Sequence, residues 1–230
     1  MDPRLRASWA RLSGRAYRIA ASAATALILL VLGAALRPVI LPEHPTPTPI
    51  LSDIEIGFAQ DMIAHHEQAL FMVQRLDPGV DPTVLRLAQQ IDQSQRVEIG
   101  TMLGWLRLAG ASPMSDHPMA WTHTGTTTAP AHSGMSMNTA TVPAAITMPG
   151  MASQAQLDAL AAARGHDAAV LFLQLMYRHH LGGITMARAA DNALHSGAVK
   201  EQARAMLTAQ SQEAGIIALM LQQLGAQPLP

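Results

Sequence analysis

The stretch FAQDMIAHHEQALFMVQ, Phe58–Gln74, decides the fold, because its skeleton returns as FLQLMYRHHLGGITMAR, Phe172–Arg188. Phe58, Gln60, Met62, His65, His66 and Met72 recur as Phe172, Gln174, Met176, His179, His180 and Met186, each 114 residues later. Identities at one fixed offset mark an internal repeat. The spacing is helical. With Phe58 at zero on a wheel, Met62, His65, Ala69 and Met72 fall within about 40° of it, and His66 lies near the edge at about 80°. The second copy repeats this face with Met176, His179, Gly183, Met186 and His180. One histidine of each pair is expected inside the fold, the other at its margin.

Working outward, Ser52 and Asp53 supply an N-cap and DPGVDP ends the first helix near Leu76. Pro82 suits a first helical position and Gly110 a helix stop, which predicts a second helix over 82–109. Ser153 with Gln156 forms a capping-box pattern for a short helix. A long helix is expected from His166 to about His195, and a last one from Ala198 to Leu224. The motif QSQ at Gln93–Gln95 returns at Gln210–Gln212, offset by 117, which predicts three extra residues in the second hairpin loop. Two related hairpins, each unable to bury its own apolar stripe, are expected to pack as an all-α, antiparallel four-helix bundle with pseudo-twofold symmetry. That domain spans 52–225. Residues 111–152, rich in Thr, Pro, Gly, Met and His, are expected as a flexible linker inside it.

The chain has 230 residues, 49% of them apolar but only 3% aromatic, so the core is aliphatic. There is no cysteine, which excludes disulfides and thiolate metal sites. Net charge is -1, yet six of the 15 basic residues lie in the first 37. The remainder is acidic on balance, which argues against nucleic acid as a partner. Residues 1–18 form a basic N-terminus. The uncharged run IAASAATALILLVLGAAL suggests a transmembrane signal-anchor over 19–37, with a cleaved signal peptide as the alternative. The flanking arginines then predict a single-pass cell-membrane protein with an extracytoplasmic C-terminal domain. Residues 38–51, with five prolines, read as a stiff spacer.

The chemistry lies in the repeat. Methionine at helical spacing is ordinarily core, and a lone edge histidine is ordinarily solvated. Two histidines at the centre of apolar stripes are different, since an unpartnered buried polar group costs on the order of 1–3 kcal/mol. Imidazole beside thioether suits copper, with methionine favouring Cu(I) and histidine Cu(II). Zinc gains little from methionine. A ferritin-type di-iron site needs glutamates on four helices and Glu-x-x-His on two, a spacing that is absent. Met114, His117, Met119, His123, His132, Met135, Met137, Met148 and Met151 add a second set of soft donors in the linker.

MPGMAS at Met148–Ser153, the two His-His helices, and QSQRVEIGTMLGWL from Gln93 together resemble the ferritin-like family catalogued as domain of unknown function 305. The likeness covers about residues 52–225. It implies a four-helix bundle, often exported, with copper-binding members, and implies metal ligands at Met62, His65, His66, Met72, Met176, His179, His180 and Met186. The QSQ offset sets Gly215 where the first copy has Glu98, which weakens the second half-site if that carboxylate orients ligands. The expected function is copper buffering or delivery by a membrane-tethered domain. A metal-free helical interaction module and a copper- or iron-dependent oxidase stand as alternatives. The expected partners are the metal ion and the membrane, and a homo-oligomer remains open.

Overall fold

Local signals start and stop each helix where the capping chemistry allows. The computed structural model describes residues 20–36, 49–123 and 148–229. Ser52 and Glu55 cap each other reciprocally and open α2, Asp53–Arg75. Asp81 caps the next helix, with Pro82 in its first turn: α3 runs Pro82–Ala109 and ends at Gly110 in the left-handed region. A second capping box, Ser153 with Gln156, opens α4, Gln154–Ala162. Helices α5, Gly165–Ala193, and α6, Ala198–Gln223, complete the set, with a single 3-10 turn at Ala120–His123. Every element among the described residues is helical. The six residues between α2 and α3 and the four between α5 and α6 fold each pair back as a hairpin.

The hairpins meet along their histidine helices, α2 against α5. Two apolar clusters result. One holds Phe58, Met62, Met102, Leu106, Met186 and Met206; the other holds Met72, Ile91, Phe172, Met176, Ile217 and Leu221. Each fully buried side chain of this size contributes roughly 1.5–3 kcal/mol. Between the clusters along α2 and α5 lie the buried histidines.

The repeat in the outer helices has a different register from the one QSQ suggests. Buried Val84, Ala88, Ile91, Gln95, Met102 and Leu106 of α3 correspond, 115 residues on, to buried Val199, Ala203, Met206, Gln210, Ile217 and Leu221 of α6. The second hairpin therefore carries one extra residue between its matched positions, not three, and a longer α5 absorbs it. Burial, rather than identity, sets the match: Gln210 is buried and Gln212 is exposed.

Both ends of the segment expected as a linker lie on the helices. Residues 111–123 wrap α2, pegged by Asp61, whose buried carboxylate accepts from the Met119 amide at 2.6 Å and the Trp121 indole at 2.8 Å. Residues 124–147, with His132, Met135 and Met137, lie outside the described residues, as do the basic N-terminus and most of the proline-rich spacer.

Residues 1–48 form a separate unit, in which 20–36 is a helix, α1. No helix among the described residues is long and apolar enough to cross a membrane. The single-pass membrane placement expected from the uncharged run is corrected on that ground.

Candidate functional site

The α2 and α5 faces carry His65, His66, His179 and His180 into the interior, where each is at most 1% exposed. The His65 and His179 rings stack, centroids 3.8 Å apart and planes tilted by 30°. His66 and His180, expected at the margin, are equally buried, because each reaches a carboxylate on its own hairpin's second helix. His66 Nε2 is 2.7 Å from Glu98 on α3, and His180 Nε2 is 2.7 Å from Glu213 on α6. Glu213 thus holds the place that the QSQ offset assigned to Gly215. The second half-site has its carboxylate, less exposed than the first: 9% against 18% for the side chain.

Hydrogen bonding fixes which nitrogens are free. A carbonyl only accepts, so a ring nitrogen facing one carries the proton. His65 Nε2 donates to the Pro149 carbonyl at 3.1 Å, and His179 Nε2 donates to the His65 carbonyl at 2.9 Å. Burial is the main force holding both imidazoles neutral: His65 is pushed down to about 3 and His179 well below the ordinary histidine range, with the neighbouring histidines adding to the effect. In a neutral ring protonated at Nε2, Nδ1 is a bare lone pair. The Nδ1 atoms of His65 and His179 are buried without a hydrogen-bond partner, and so is that of His66. His180 differs. Its Nδ1 donates to the Met176 carbonyl at 3.0 Å, and its Nε2 lies 2.7 Å from Glu213, so both ring nitrogens are engaged.

Two buried amides complete the polar layer. Gln95 and Gln210 each leave one side-chain atom unpartnered. Gly183 exists for this layer: a Cβ there would collide with the Gln210 side-chain oxygen, whereas the matching position on α2 is Ala69. The segment 148–152 closes one side. Gln68 grips the Ala152 backbone by two bonds of 2.7 and 2.9 Å, and Arg178 reaches the Met151 carbonyl at 3.4 Å. Gly182 lets Pro149 and Gly150 lie directly on α5.

The four repeat methionines are fully buried but divided. Met62 and Met186 belong to one apolar cluster, Met72 and Met176 to the other, so thioethers flank the histidines along both helices. Among the described residues no group of three or more His, Cys, Asp or Glu side chains is placed to hold a metal ion. The donors brought together are the unpartnered imidazole nitrogens of His65 and His179, with thioethers farther along both helices. Glu98, Glu213, Gln210 and the Pro149 carbonyl complete the site. Glu213 was legible only as a residue three places after a buried glutamine, the relation Glu98 has to Gln95.

Comparison with known proteins agrees with the repeat motifs. The family model described as domain of unknown function (DUF305) matches residues 55–222. A solved structure from Streptomyces coelicolor, described as a "putative secreted protein DUF305", is 34% identical, covering 77% of this chain and 96% of that one, with a TM-score of 0.64. A DUF305 fragment from Deinococcus radiodurans is 27% identical over 75% of this chain and 97% of that one, with a TM-score of 0.58. No curated protein matches. With a family model that covers well over half its length and takes in both His-His pairs, the chain belongs to the DUF305 family.

Proposed function

We propose that the protein binds copper, to buffer it or hand it over, and that α2, α3, α5 and α6 serve as one antiparallel, ferritin-like four-helix bundle around the ion. The observation that carries this reading is the pair of bare, buried Nδ1 atoms on the stacked rings of His65 and His179. Leaving such groups unpartnered costs on the order of 1–3 kcal/mol each, and a metal ion repays that cost. His65 and His179 are the primary ligands, His66 adds a third free lone pair, and Met62, Met72, Met176 and Met186 are the soft donors nearest along each helix. His180 has both ring nitrogens engaged, by Met176 and Glu213, and stands beside the ligands rather than among them.

The test is an anaerobic Cu(I) competition titration of the full chain beside a His65→Ala, His179→Ala double variant. The expected result is uptake of about one or two ions per chain by the parent and its loss in the variant. Equal uptake by both would place the binding in the Met- and His-rich segment instead. No uptake by either would leave the histidines as a purely structural polar layer and favour a metal-free module.

A further inference from the structure

Among the described residues His65 and His179 are fully covered, so anything that reaches their free nitrogens must displace part of that cover. Three of the neighbouring elements, α3, α5 and α6, are helices whose backbone bonds close within themselves. Segment 148–152 is different. It has no ladder of its own and is held by side chains: two bonds from Gln68, one long bond from Arg178, and the Pro149 carbonyl bond to His65. Segments with few backbone bonds of their own open at the lowest free energy. Its two ends also face different spaces. Met148 lines a cavity of about 460 Å³ beside Glu67 and Met114, while the next residue, Pro149, bonds to His65.

The geometry points to segment 148–152 as the gate of the histidine pair, hinged against Gly182 and latched by Gln68. Opening it withdraws the Pro149 carbonyl and frees His65 Nε2, and it joins the outer cavity to the stacked rings. A soft cation arriving among the thioethers of Met114 and Met148 then has the shortest route to His65. The choice of cation rests on the copper reading; the gate itself does not.

Two substitutions loosen the gate without touching a histidine. Gln68→Ala removes both bonds to Ala152. Gly182→Ala places a Cβ 2.9 Å from Gly150 Cα and closer still to the Pro149 carbonyl, forcing the segment away. Imidazole accessibility is read by carbethoxylation with diethyl pyrocarbonate, followed residue by residue in the mass spectrometer. In the parent, His65 and His179 react far more slowly than His166, whose side chain is 64% exposed. In both variants they speed up by about tenfold, the effect of losing two hydrogen bonds on an opening equilibrium, while His66 and His180 stay slow. No acceleration, or equal acceleration of all four buried histidines, overturns the gate.

Copper exchange is measured separately. If the parent takes up copper, uptake and release both quicken in the variants with little change in affinity, and unchanged rates overturn the gate. If the parent takes up none, the copper reading fails and carbethoxylation still decides the gate.

Discussion

His65 and His179 make acid the natural enemy of this fold. In an unfolded chain an imidazole takes up a proton near pH 6.5. In the folded protein His65 does so only at about 3, and His179 is shifted the same way, mainly by burial. Between those limits the unfolded state holds the extra proton. Stability is therefore full above about pH 6.5 and falls with acidity, by up to about 1.4 kcal/mol per pH unit for each histidine. Urea unfolding midpoints should decline from pH 7 to pH 5, above the carboxylate range. A His65→Gln, His179→Gln variant, which cannot titrate there, should show a flatter profile. At this scale the sequence was partly readable. The central histidines follow from helical period alone. The burial of His66 and His180 does not, because it depends on Glu98 and Glu213, which belong to other helices.

At the scale of the element, glycines separate helix propensity from packing. Gly100, Gly104 and Gly215 lie in α3 and α6 with nothing within 4 Å of a built Cβ. Alanine at any of them should stabilise the fold by up to about 1 kcal/mol. Gly183 is also helical, but alanine there meets Gln210 and should destabilise by about 1–3 kcal/mol, with thermal melting as the measurement. Helix limits were legible because their signals are local: Ser52 with Glu55, Pro82 and Gly110 act within a turn. Register was not. The QSQ identity suggests an offset of 117, yet Gln210 rather than Gln212 faces the interior, since a buried amide is selected by what it meets across the bundle. Chain letters carry no record of that meeting.

Across the whole molecule, the domain is two apolar clusters separated by a polar histidine layer, and its all-helical character was readable from period and caps. The uncharged N-terminal run was misleading for a physical reason. Apolarity suggested a membrane span, whereas no helix among the described residues is long and apolar enough to cross a membrane. The repeat offsets of 114 in the inner helices and 115 in the outer ones bring the two halves into position-by-position correspondence. Segment 148–152 breaks it, since His65 is held by Pro149 and His179 by the His65 carbonyl.

That broken correspondence has a spectroscopic consequence. With ¹⁵N-labelled histidine, two imidazoles descended from one repeated motif should give two distinct sets of ring resonances, both with the pattern of a neutral ring protonated at Nε2. Gly182→Ala should move the His65 set much further than the His179 set. A single averaged set would mean that the two halves exchange roles, and that the molecule is more symmetric in solution than its strap allows.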